Sequence, residues 1–286
     1  MGNDASKWLM GCGIGCAALI LILVVFGLGS YLLVKDTVED FREMGRTVSE
    51  VNETFGAPRS FVPEPSGKLA QERIEAFLQV RDATSPVREE IAESIKTVMT
   101  SIDTMEDGRG SLFGILRIIG TGAGALPKIA AFHRVRAQAL LDAEMGLGEY
   151  GYLYVLSYYS WMKKSPGDGP PFTVVNRDQD DDDSESEEEV RAQRSQRVQR
   201  EVRRLFISIL ENGGEKCSQP DTVVADEWCE AVHAELEALR NDSGRIPWQE
   251  GLPGTLEQSL VPYRGELDAS YSELTNPLEL MESMHD

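Results

Sequence analysis

Cys217, Cys229 and His233 form the chain's best-spaced set of metal-ligand types, with Cys229 and His233 one helical turn apart. A structural zinc site needs a fourth ligand and normally a close Cys-x-x-Cys pair, and neither is present. The same two cysteines suit a disulfide if the domain faces an oxidising compartment, and that pairing is the expectation. Asp178, Asp180, Asp182 and Glu189 fall at positions one, three, five and twelve of a calcium-loop pattern. Asp183 stands where such a loop needs glycine for its sharp turn, so no metal is assigned. Gly120-Thr-Gly122-Ala-Gly124-Ala125 matches the glycine fingerprint of dinucleotide folds. That fingerprint works only inside a βαβ unit, and no second strand follows at the right distance. The glycines read instead as a break between helices, and no cofactor is expected.

His133, His233 and His285 are the only histidines, and none stands in a metalloprotease helix motif. A Gly-x-Ser-x-Gly elbow and a phosphate loop are also missing, so no catalytic residue is assigned. What remains is a pair of carboxylates beside an aromatic stretch, Glu149-Tyr-Gly-Tyr-Leu-Tyr-Val-Leu-Ser-Tyr-Tyr-Ser-Trp161. A carboxylate among aromatics has its charged form disfavoured, which is how acid–base groups are tuned. A hydrogen bond to a tyrosine or arginine is the ordinary alternative. Glu144, Glu149, Tyr150 and Tyr154 are therefore the candidate lining of a pocket.

Helical periodicity supplies the elements around these residues. Residues Leu69, Ile74, Phe77 and Leu78 suit a helix from about 68 to 82. Ser85-Pro86 reads as the start of another, with Val87, Ile91, Ile95, Val98, Ile102 and Met105 along one face and Gly108 as its stop. Pro127 opens a helical pattern that extends toward Lys164 and carries the tyrosines, which cover more than one face. Ser165 to Ser184 reads as a long acidic loop. The overlapping boxes Ser184-x-x-Glu187 and Ser186-x-x-Glu189 then start a helix that Gly213-Gly214 ends. Two more helices are expected, over about 222–239 and 256–274. Strand-type alternation is scarce, so the class is all-α, a helical bundle with an acidic loop at about 165–185.

Leu9–Val34 carries no charge. At about 1.5 Å rise per residue it is long enough for a tilted crossing of a hydrocarbon core of about 30 Å. A cleavage site near Gly27-Leu-Gly29 would leave apolar residues beyond it, which favours an uncleaved anchor over a signal peptide. The Leu9-Met-Gly-Cys12 box precedes its apolar stretch, the reverse of a lipoprotein signal. The domains expected are a tail over 1–8, a membrane helix over 9–34, a juxtamembrane helix and linker over 35–67, and a helical domain over 68–286. Lys35, Arg42 and Arg46 would favour a cytoplasmic domain, but a short positive tail before an apolar run is the signal-anchor layout, so export is expected. A stripe of Val34, Val38, Phe41, Met44, Val48, Val51 and Phe55 continues the helix. It suits either packing on the domain or a short parallel coiled coil, the latter aided by Gly11-x-x-x-Gly15 in the membrane run.

The chain carries a net charge of −20, with only Lys7 and Asp4 charged before Lys35, so the domain holds all of it. Such a surface repels nucleic acid and anionic headgroups. The expectation is a single-pass, non-enzymatic helical domain that binds a protein partner or organises an envelope assembly, with a homodimer as one form. A ligand-binding or enzymatic pocket at the tyrosines, and a sensor acting through a membrane partner, are the alternatives.

Overall fold

The computed structural model describes residues 42–103, 112–170, 186–217 and 226–280. The expected membrane helix over 9–34, with Gly11 and Gly15, lies outside them. Among the described residues no helix is long and apolar enough to cross a membrane, and no strand occurs. The molecule is all-α.

Helix α1 covers 42–55. It is followed by a strap whose 3-10 turn is Pro58–Ser60, then by α2 (Gln71–Asp103) and α3 (Leu112–Asp142), which form a long hairpin. Helix α4 (Leu147–Tyr154) widens without a break into a π-helix, Val155–Trp161. Helices α5 (Glu187–Cys217) and α6 (Asp226–Asn241) form a second pair, and α7 (Gly254–Leu260) and α8 (Arg264–Ser270) close the domain. A 3-10 turn, Asn276–Leu278, carries the chain back to the core.

The core surrounds α4 and its π extension, where every residue from Tyr150 to Ser160 is buried. A helix buried on all sides must be apolar all round, and the tyrosine run meets that demand if its hydroxyls find partners. Within the described part of the α1 stripe, Val51 is fully buried and Val48 and Phe55 pack beside it. That section of the stripe is an inner face of the domain. Residues 56–67 form a strap that also packs down, with Pro58, Pro63 and Gly67 buried.

Several boundaries differ from expectation. Pro86 starts no helix; it lies inside α2. Proline removes one helical N–H and leaves the carbonyl four residues back without its donor. Here that carbonyl belongs to Asp82, and Asp82 and Pro86 both lie on the exposed side. The Gly120–Gly124 stretch is likewise no break: α3 passes through it and through Pro127. The pattern from Pro127 does not run unbroken to Lys164, because the chain turns at Ala143–Gly146 with Glu144 at φ 48°. Gly213 and Gly214 do not end α5, which reaches Cys217. Both are buried, and a Cβ on Gly214 would lie 3.6 Å from the His233 ring of α6, an ordinary packing distance. The expected 256–274 helix is divided by a 3-10 turn at Val261–Tyr263, where Pro262 sits, and ends at Ser270.

Candidate functional site

The candidate residues sit at the start of α4, on the side facing α2. Arg73 holds Glu149 through two bonds of 2.6 Å, from Nε and Nη2, and also donates to the Glu144 carbonyl at 3.0 Å. The guanidinium of Arg73 is held more basic than usual, first by its bond to Glu149. Glu149 is thus the paired carboxylate of the ordinary reading, and Glu144 is an exposed turn residue. The void beside Glu149, lined also by Phe61, Tyr152, Trp228 and Leu256, measures about 40 Å³. That holds one or two waters and no metabolite.

Tyr150 and Tyr154 point elsewhere, to the C-terminal segment. Tyr150 Oη donates to Glu279 Oε2 at 2.7 Å and accepts from Arg81 Nη1 at 3.1 Å. Tyr154 and Tyr159 both donate to Asn276 Oδ1 at 2.8 Å. Tyr158 Oη lies 2.7 Å from Ser270 Oγ. The Asn276 amide returns bonds to the Asp168 and Pro166 carbonyls, at 3.2 and 3.5 Å. One buried asparagine therefore joins the π-helix, the segment after it and the C-terminal turn.

Beneath the tyrosines lies a fully buried ion cluster. Glu279 pairs with Arg81, and Arg136 lies 3.8 Å from its other oxygen. Arg88 and Arg81 both donate to the Ser270 carbonyl, and Arg88 also to the Arg81 carbonyl. Arg136 bonds the Glu279 and Leu278 carbonyls. The Arg81 guanidinium stands 5.3 and 5.4 Å from the Tyr154 and Tyr158 ring centres, a favourable cation–π position. Burial by itself would push the Glu279 carboxyl up, but Arg81, Arg136 and Arg88 outweigh it and hold the group below its ordinary value. Burial likewise pulls Arg81 down, and Glu279 with the surrounding tyrosines more than reverses this. Burial raises the Tyr150, Tyr154 and Tyr159 phenols, so all three stay protonated as donors.

Chemically this cluster is a clamp. Its arginines and tyrosines bond mainly to the chain's own C-terminal segment, Ser270 to Glu279, which is packed against them. Sequence reasoning placed the tyrosines but missed Arg81, Arg88, Arg136, Ser270, Asn276 and Glu279. A signal was present: Phe77, Arg81, Thr84, Arg88 and Ile91 recur at three- and four-residue steps, which sets two arginines on an inward stripe.

Cys217 and Cys229 are joined, with Cα atoms 5.8 Å apart, so the last residue of α5 is tied to α6. His233 is exposed and outside any ligand set, and no cluster of three or more metal-ligand types occurs among the described residues. Asp178–Asp183 lie outside those residues. An open cleft of about 800 Å³ lies between Ala57–Val62 of the strap and Asn212, Glu215 and Lys216 near the end of α5. Asn212 Nδ2 pins the strap there, at 2.8 Å from the Arg59 carbonyl. Val62, partly exposed, lines it.

No protein-family model, curated protein or solved structure matches the chain.

Proposed function

We propose that the protein is a membrane-tethered, non-enzymatic helical domain, held outside the cytoplasm by Leu9–Val34, that binds another protein or organises an envelope assembly. One observation carries the reading. The tyrosine-rich segment, where an enzymatic or ligand pocket would lie, is buried, and the hydroxyls of Tyr150, Tyr154, Tyr158 and Tyr159 are bonded to residues 270–279 of the same chain. An interior committed to holding itself together leaves the surface to act. The strap cleft offers a shallow concavity with an apolar side chain, Val62, beside the charged Arg59, Glu215 and Lys216. Aliphatic contact ringed by charge is the usual composition of a transient protein interface.

Photo-crosslinking in intact cells tests this. A crosslinking residue placed at Val62 should give one discrete adduct with a different polypeptide, whereas one at exposed Glu93 on α2 should not. Absence of an adduct at both Val62 and Lys216 would overturn the assignment of partner binding to this face. An alkaline phosphatase fused after Asp286, active only outside the cytoplasm, reports the side of the membrane. A silent fusion in a well-expressed protein would reverse the orientation.

A further inference from the structure

The outward side of α5 gathers positive charge in a chain whose net charge is −20. Arg197, Arg200 and Arg204 are exposed and follow one another at steps of three and four. At about 100° per residue they fall within roughly 60° of one another. They lie on the side opposite Val202, Phe206 and Ile209, which are buried. The helical rise of about 1.5 Å per residue sets them about 4.5 and 6 Å apart along the axis.

The acids within reach are engaged elsewhere. Glu201 pairs with Arg204, and Glu211, next along the line, pairs with Arg240. Asp168 is held by Arg191 near the start of the same helix. The Arg197 and Arg200 guanidiniums have no ion-pair or hydrogen-bond partner among the described residues. Their charge is felt next door. The Arg194 guanidinium is held less basic than usual, first by burial, then by Arg191 and, less strongly, Arg197, with Asp168 pulling the other way. In the other direction α5 leads to the strap cleft, where Lys216 lies about 18 Å beyond Arg204. The cleft carries Arg59, Glu215 and Lys216 beside Val62, and the Arg59 Nε is buried without a hydrogen-bond partner among the described residues.

A row of guanidiniums matches a row of carboxylates, each of which can accept two parallel N–H bonds. Carboxylates about 5–6 Å apart are those at three- and four-residue steps of a helix. A bilayer surface or a nucleic acid is an extended polyanion and meets the −20 field of the whole molecule. A short acidic segment meets the arginines, because salt screens charge more than about 8–10 Å away.

We infer that this face of α5 docks an acidic segment of a partner protein, a helix with Asp or Glu at three- and four-residue steps whose far end enters the strap cleft beside Val62. The inference rests on the partner-binding reading and gives that partner its chemistry. Carboxylates align the segment on Arg197, Arg200 and Arg204, and an apolar residue at its end meets Val62.

Photo-crosslinking of the full-length protein in intact cells tests it, with the crosslinking residue at Val62 or at Gln196, which is exposed beside the arginines. Both positions should link to the same polypeptide, and the peptide linked to Gln196 should bear acidic residues at three- and four-residue steps. Arg197→Glu with Arg200→Glu should lower the yield at Val62 about tenfold. It should leave the Tm unchanged, since both side chains are exposed. Arg42→Glu with Arg46→Glu, an equal change of charge at exposed positions of α1, should leave the yield as it was. An unchanged Val62 yield in the Arg197/Arg200 variant would overturn the inference and leave the partner reading standing. A Gln196 adduct with lipid, with a second copy, or with 178–183 of the same chain would also overturn it. Adducts at neither Val62 nor Lys216 would remove the partner reading and this inference together.

Discussion

Glu279 is the residue on which the interior turns. Removing one partner from a buried charge group leaves the others uncompensated and costs about 3–5 kcal/mol. Glu279→Gln keeps the shape and removes the charge, so urea unfolding of the variant at neutral pH should show a loss of that order with an unchanged slope. The pH dependence has a definite sign. The folded-state carboxyl lies below its ordinary value, 4.5, so its contribution is complete above that pH and is lost as pH falls through the lowered folded value. The wild type should weaken progressively below about pH 4.5, and Glu279→Gln should weaken less steeply there. Glu250, held to about 2 chiefly by its bond to Arg245, adds little because it is exposed. The tyrosines divide by their partners. Tyr154 Oη bonds Asn276, and Tyr154→Phe should cost about 1 kcal/mol. Tyr152 Oη is buried without a hydrogen-bond partner among the described residues, so Tyr152→Phe should be neutral or stabilising. Equal losses from the two variants would show that hydroxyl bonding is not what distinguishes these positions.

At the scale of elements, the strap and α4 meet at Gly148. A Cβ there would lie 2.2 Å from the Pro58 carbonyl oxygen and 2.8 Å from the Phe61 Cβ. Backbone cannot yield as a flexible side chain would, so Gly148→Ala should cost about 1–3 kcal/mol by overpacking, despite alanine's better helix propensity. A Tm unchanged or raised would mean that the strap lifts freely from α4. The helical class was legible because it rests on local signals. The Ser186/Glu189 box is formed as its spacing implies, with Ser186 N–H donating to Glu189 at 2.9 Å and Glu189 N–H to Ser186 Oγ at 3.3 Å. Boundaries failed where a local signal lost to its setting, as at Pro86 and Pro127 inside α2 and α3. Proline weakens a helix by one bond, and a long hairpin with a buried face outweighs it. The clamp was illegible for another reason. Tyr150 and Glu279 are 129 positions apart, and nothing local in either marks the other. Glu144 and Glu149 stood out because they neighbour the tyrosines in sequence, whereas the carboxylate that the tyrosines engage arrives from the far end of the chain.

At the scale of the whole molecule, the open question is how a domain that buries its own stripe could still pair with a second copy. Before the fold is known, Val34–Phe55 and Gly11/Gly15 look like one continuous seam. Val48, Val51 and Phe55 face the domain interior, so they belong to the fold of one copy. The homodimer that the sequence suggests would then have to draw on Leu9–Val34, the run proposed to span the membrane, where Gly11 and Gly15 would permit close helix approach. Such packing is modest, and a shared bilayer would supply the effective concentration that makes it visible. The two parts of the former seam therefore respond differently. Gly15→Ile should shift full-length protein in mild detergent toward monomer in sedimentation and leave the domain's Tm unchanged. Val51→Ala should lower the Tm, by a loss of about 1–3 kcal/mol for a truncated core side chain, and leave the sedimentation coefficient unchanged. A wild type that sediments as a monomer across a wide range of protein-to-detergent ratios would exclude the dimer. An effect of Val51→Ala on association, with no effect on Tm, would instead place the seam on α1 and detach that helix from the domain.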